Sequence, residues 1–223
     1  MRNEKCGKSK EECGMKSVGL RMLLCAALLI AHCSFLISCS ESDDVVDDEF
    51  SNWQARNEAY FATLEDSLSR GGSAWKKIKM FTKDEETVTT NADYIYIKVL
   101  EQGTGTTSPL YNDSVRVSYR GRLIPTANYP QGYVFDETYE GNYSHSTTGI
   151  VDNIVSNFRD GFATALQHMH QGDRWRVYIP YQLGYGTSGY LTIPGYSVMI
   201  FDVTLLDFVT GSDSLEPWAS RQW

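Results

Sequence analysis

Met169-His-Gln-Gly172-Asp-Arg-Trp-Arg-Val-Tyr-Ile179-Pro180 changes its period in the middle. Up to Met169 the apolar residues are spaced as on a helix: Phe162, Ala165, Leu166 and Met169 stand at i, i+3, i+4 and i+7. Asp160-Gly161 marks the start of that helix and Gly172 lies just past its end. From Arg174 the period is two, so Trp175, Val177 and Ile179 share one face of a strand that Pro180 closes. Downstream, Gly184 to Gly189 is a glycine-rich loop, and Ser197 to Phe208 is a nearly continuous apolar strand, the pattern of a central one. Upstream, Val115, Val117, Tyr119 and Leu123 alternate with Arg116, Ser118 and Arg120, which predicts a half-buried strand. Ile95, Ile97 and Val99 alternate with Tyr94, Tyr96 and Lys98, and Gly103-Thr104-Gly105 ends that strand. Pro125 to Gly132 reads as a loop before Tyr133-Val-Phe-Asp136, and the polar stretch from Glu137 to Asn153 reads as a flap. This order predicts an α+β fold, an antiparallel sheet wrapped around one short helix, with no internal repeat.

Ahead of the sheet, Phe50, Trp53, Tyr60, Phe61, Leu64 and Leu68 recur near helical spacing, so residues 49 to 69 read as an amphipathic helix ended by Ser69-Arg-Gly-Gly72. Docking on its own domain and a homodimer contact through residues 50–68 are both open for that stripe. Ala74 to Thr90 reads as a mixed, charged connector. At the N-terminus, Leu36-Ile-Ser-Cys39 follows an apolar run from Met22, with Lys16 and Arg21 before it. Leu three positions before a Cys and a small residue just before it form the pattern of a bacterial lipoprotein cleavage site. The run is too short to span a bilayer comfortably, and the expectation is a lipid on Cys39 that tethers the mature chain to a membrane. Met15 is an alternative start. The expected division is a signal peptide over 1–38, an acidic tether over 39–49, a helical segment with connector over 50–90, a folded domain over 91–210 and a tail over 211–223.

Composition narrows the function classes. Cys6, Cys13, Cys25 and Cys33 would leave with the signal, so the mature chain would hold Cys39 alone, with no disulfide, thiolate metal site or free-thiol nucleophile. The whole chain carries a net charge of −8. Residues 1–38 hold six Lys/Arg and three Asp/Glu, which leaves 14 basic and 25 acidic residues and a net charge of −11. Nucleic acid is excluded as a partner on that balance, and an anionic lipid surface would repel the protein itself. His168 and His170 are two apart and His145 stands elsewhere, so no metal set is expected. The acidic run Asp43 to Glu49 lacks the spacing and glycine of a calcium loop, Gly184 to Gly189 lacks the Lys of a phosphate loop, and no Gly-x-Ser-x-Gly occurs.

Taken in order, Val115-Ser-Val-Ser-Tyr119-Arg-Gly121-Arg-Leu123, Phe135-Asp136, Gly161-Phe162, Met169 to Pro180, Gly184-Tyr185-Gly186, Ile193-Pro194 and Phe201-Asp-Val-Thr-Leu-Leu206 resemble the FKBP-type peptidyl-prolyl cis–trans isomerases over residues 93 to 209. The resemblance implies isomerisation of X-Pro bonds in proline-containing polypeptides, without any cofactor. It implies Phe162 as the floor beneath the proline ring, and Tyr119, Phe135 and Phe201 as aromatic walls. Ile193 would form the rim with its backbone N–H reaching the substrate, Tyr185 would donate its hydroxyl to a peptide carbonyl, and Asp136 would orient a neighbouring ring. Ordinary core packing is the alternative fate of each aromatic residue. Three positions depart from the family: the floor is usually Trp and here is Phe162, and Phe158-Arg159 replaces an aliphatic pair. Two other classes therefore stand beside the enzyme. One is an FKBP-like binding module without turnover; the other is a carbohydrate-binding surface lipoprotein, which has no need of the ordered set.

Overall fold

The computed structural model describes residues 49–83, 86, 89–211 and 215, and residues Glu49–Trp223 form one unit. The signal peptide, Cys39, most of the tether and most of the tail fall outside the described residues. Helix α1 spans Trp53–Arg70 and α2 spans Asp160–Leu166. The strands are β1 (Trp75–Lys79), β2 (Tyr94–Glu101), β3 (Ser114–Arg122), β4 (Val134–Glu137), β5 (Val151–Ile154), β6 (Arg174–Ile179) and β7 (Met199–Val209). They form one antiparallel sheet in the order β1-β2-β6-β7-β3-β4, with β5 beside β4 on the same flank of β3.

Alternation and register divide the sheet into two faces. Ile97 pairs with Val177 and Val177 with Phe201, so these side chains rise together toward α2. Helix α2 lies close to β6 because residue 161 is glycine: a Cβ there would fall 2.3 Å from Ile179 Cγ2. All six residues from Gly161 to Leu166 are buried, which explains a helix of under two turns held by packing and not by propensity.

The opposite face carries Tyr96, Tyr178 and Asp202 and is covered by α1. Phe61 meets the Tyr96 ring edge-on at 5.1 Å, and Trp53, Phe61 and Leu64 are buried. The Trp53 indole N–H donates to Ser197 Oγ at 2.8 Å, and buried Asn57 accepts from the Val198 N–H at 2.8 Å. Lys77 Nζ reaches Glu65 at 2.5 Å, and the Tyr96 hydroxyl donates to the same carboxylate. Much of the apolar stripe of α1 is therefore packed within the chain. Its cover is also why β7 is buried along both faces and reads as a continuous apolar run.

Three expectations are corrected. The connector contains β1, an edge strand paired to β2; Trp75-Lys-Lys-Ile-Lys79 hides a strand under its lysines, which suit a sheet edge. The flap ends in β5, and its middle is pinned: Ser118 Oγ shares hydrogen bonds with Thr138 and Thr148, and Gly149 N–H donates to Thr138 O at 3.0 Å. Arg116 and Ser118 are not on a solvent face. Arg116 is buried with both Nε and Nη2 on the Asp152 carboxylate at 2.7 and 2.6 Å, a pairing that β5 makes available.

Candidate active site

At the mouth between α2 and the centre of the sheet lies a cavity of ≈ 330 Å³. Tyr119, Phe135, Asp136, Phe162, Tyr185, Ile193 and Phe201 all border it, so the seven positions separated in sequence meet in one place. Phe162 is buried and edge-on to Phe201 at 5.0 Å and to Tyr119 at 5.8 Å. Phe135 meets Phe201 edge-on at 5.4 Å, and Tyr119 meets it at 5.9 Å. These centroid distances lie in the range where edge-to-face rings attract, so the box is a bonded cluster with fixed ring planes. Gly121 makes it fit: a Cβ on residue 121 would fall 2.5 Å from Phe135 Cε2 and 2.6 Å from Phe201 Cε1.

One polar contact orients the box. The Tyr119 hydroxyl donates to Asp136 Oδ2 at 2.7 Å, tying β3 to β4 across the cleft edge. Burial, helped by the hydrogen bond to Asp136, holds the Tyr119 hydroxyl well above the usual tyrosine range, so it stays protonated and keeps donating. Tyr185 stacks on Tyr190 at 5.0 Å, and the Arg159 guanidinium lies 4.8 Å from the Tyr185 ring centroid. Among the described residues the Tyr185 hydroxyl makes no hydrogen bond, which leaves it available to a ligand carbonyl.

Ile193 requires a correction. Its N–H donates to Tyr190 O at 2.9 Å, and the Tyr190 N–H donates back to Ile193 O at 2.9 Å. A two-residue turn through Leu191 closes this pair, with Leu191 in the left-handed region at φ 50°. The rim therefore offers the Ile193 side chain and not its backbone donor.

Sequence reasoning missed several lining residues. Phe158 stacks on Phe162 at 4.8 Å and enlarges the floor, while Tyr190, Leu191, Thr192 and Met199 also border the cavity. Met199 was within reach, since it stands two before Phe201 and so shares its face. Tyr190 and Leu191 carry no periodic signal. His168 Nδ1 and the His170 N–H are used locally, by Thr164 O and Asp173 respectively, and no group of three or more potential metal ligands occurs among the described residues.

A model of the family described as FKBP-type peptidyl-prolyl cis-trans isomerase matches residues 105–206. That segment is an FKBP-type domain. It holds all seven cleft positions, while α1, β1 and β2 lie before it. The Macrophage infectivity potentiator of Trypanosoma cruzi is 38% identical over 113 residues, 50% of this chain and 52% of that protein. Peptidyl-prolyl cis-trans isomerase Mip of Coxiella burnetii is 35% identical over 125 residues, 56% of this chain and 49% of that protein. The match thus spans about half the length of these relatives. The crystal structure of FkpA from Escherichia coli aligns with a TM-score of 0.50 at 21% identity, covering 90% of this chain and 98% of that one, a likeness of fold.

Proposed function

We propose that the FKBP-type cleft isomerises X-Pro bonds of exported polypeptides and also holds such segments as a chaperone. The observation that supports this most is the convergence of the seven residues on one aromatic cavity. Rotation about an X-Pro bond is opposed by a barrier of ~18–20 kcal/mol, because amide resonance is lost in the twisted state. No nucleophile, metal or proton shuttle is needed. A cleft that binds the twisted amide better than the planar one suffices, and a thousandfold acceleration requires about 4 kcal/mol of such difference. In this reading Phe162, extended by Phe158, receives the proline ring, and Tyr119, Phe135 and Phe201 exclude water around the amide. Tyr185 supplies a hydroxyl to a flanking carbonyl, and Asp136 fixes the Tyr119 ring plane. The name of the Coxiella burnetii relative, peptidyl-prolyl cis-trans isomerase Mip, carries the same activity.

Refolding of a protein whose slow phase is proline-limited tests it. The parent protein is expected to accelerate that phase, and Phe162→Ala to lose most of the acceleration while staying folded. An unchanged slow phase with the parent would refute the reading.

A second reading, a catalytically weak FKBP-like binding module, is favoured by two observations: Ile193 N–H is engaged with Tyr190, and the floor is Phe and not Trp. It would bind proline segments without shortening the slow phase.

Placement at the cell envelope is part of the same proposal. Leu36-Ile-Ser-Cys39 supports a signal peptide and a palmitate-bearing lipid anchor on Cys39, and Ser40 after it favours the outer membrane. No described helix is long and apolar enough to cross a membrane. Labelled palmitate should enter the parent and not Cys39→Ser. The packing of the α1 stripe within the chain supports a docked helix over a homodimer seam at residues 50–68.

A further inference from the structure

We propose that Arg159 makes this cleft select proline segments that carry a carboxylate side chain next to the proline; this rests on the reading of the cleft as a proline-peptide site. Arg159 borders the same cavity as Phe162 and Tyr185. It stands at the first position before α2 in an extended conformation, φ −63° and ψ 150°, with no capping hydrogen bond from its side chain.

The arginines of the sheet are all matched to carboxylates. Arg116 pairs with Asp152, Arg120 with Glu137, Arg174 with Glu101, and Arg122 and Arg176 with Asp202. Arg70 pairs with Asp66, and Arg56 donates to backbone oxygens. Among the described residues the Arg159 side chain has neither an ion pair nor a hydrogen bond, its backbone carbonyl alone accepting the Ala163 N–H at 2.9 Å; the side chain's one partner is the Tyr185 ring, 4.8 Å from the guanidinium carbon. An aromatic face attracts the cation without a carboxylate's in-plane acceptors, so the N–H fork remains available. An incoming carboxylate is the group that uses two of them in parallel.

The surroundings sharpen the choice. The chain is acidic, with a net charge of −8, yet the mouth of its aromatic cavity presents an unmatched cation. Two carboxylates are nearby in sequence or site. Asp136 borders the cavity with one oxygen occupied by the Tyr119 hydroxyl, and Asp160 follows Arg159 directly; neither forms an ion pair with Arg159. Arg159 is exposed, so the preference is modest and sensitive to salt.

Two series of short peptides test the proposal, one varying the residue before proline and one the residue after it, each with Glu, Gln and Lys. Both kcat/KM for isomerisation and Kd from a fluorescence titration are measured at low and high salt. Glu is expected to exceed Gln by about threefold in one series, with Lys poorer than Gln, and the difference to vanish with salt. In Arg159→Gln, read as ratios within the variant, the Glu advantage should disappear. Equal Glu and Gln values in both series, or a Glu advantage that survives in Arg159→Gln, overturn the proposal. The two readouts separate the failures. Turnover without Glu selectivity refutes the role of Arg159 and leaves the isomerase; Glu-selective binding without turnover refutes the isomerase and leaves the role of Arg159. Absence of both binding and turnover overturns both.

Discussion

Gly121 is the residue on which the cleft depends most sharply. It sits in β3 opposite Phe201, and any Cβ meets the Phe135 and Phe201 rings at 2.5–2.6 Å. Both rings are themselves locked edge-on, so neither moves without disturbing the other. Gly121→Ala is therefore expected to lower kcat/KM on Xaa-Pro peptides by at least tenfold. Its stability loss should stay at about 1–3 kcal/mol, the usual cost of overpacking. A peptide assay beside a denaturant melt checks both numbers, and a fully active alanine variant would mean that the ring cluster does not shape the substrate. The ordered motifs made Tyr119, Phe135, Asp136, Phe162, Tyr185, Ile193 and Phe201 legible because each lies on a periodic element or a short turn of the series. What escaped was loop geometry. The Tyr190–Ile193 turn consumes a backbone donor, and nothing in the spacing of Gly189-Tyr-Leu-Thr-Ile193 announces it.

Among the elements, α1 is the appendage whose attachment can be measured. Its buried Asn57 caps nothing on the helix; it accepts from Val198 N–H and donates to Trp53 O at 2.7 Å. The Val198 contact fixes the segment between the cleft rim at Ile193 and the start of β7. Asn57→Ala leaves that N–H buried without a partner and is expected to cost about 2 kcal/mol in urea unfolding. Loss of α1 helicity before the sheet unfolds would instead show the helix to be an independent unit. The stripe on α1 was readable from its 3.6 period, because its apolar residues face one side. Strand β1 was not. An edge strand needs only one partner and tolerates several lysines, so Trp75-Lys-Lys-Ile-Lys79 looks like a charged linker until β2 is beside it. Likewise Arg116 looked solvent-facing, because alternation records which residues share a face and not whether Asp152 will cover that face.

Across the whole molecule, tyrosine sets the alkaline limit. Burial raises the hydroxyls of Tyr60, Tyr96, Tyr119, Tyr143 and Tyr178, with Tyr60 pushed up to about 12. In the unfolded chain these groups ionise near 10. The sign follows: below 10 the neutral hydroxyls favour the fold in full, and the contribution is lost as pH rises through the folded-state values. Thermal midpoints should be flat with respect to these groups from pH 7 to 9 and fall steeply above 10. Tyr60→Phe should reduce part of that slope, and an equally steep fall in that variant would remove Tyr60 as a cause.

The fold as a whole was legible because its central strand, its short helix and its glycine turns all sit in one order. The central claim is that the cavity between α2 and the sheet twists X-Pro bonds. The most direct measurement is isomerisation of short Xaa-Pro peptides by residues 40–223, beside a Tyr185→Phe, Phe201→Ala double variant and a Tyr185→Phe single variant whose fold is checked by its melt. Acceleration by the parent, weakened in the single variant and lost in the double, is the expected result. A folded parent that accelerates no Xaa-Pro peptide would contradict the claim.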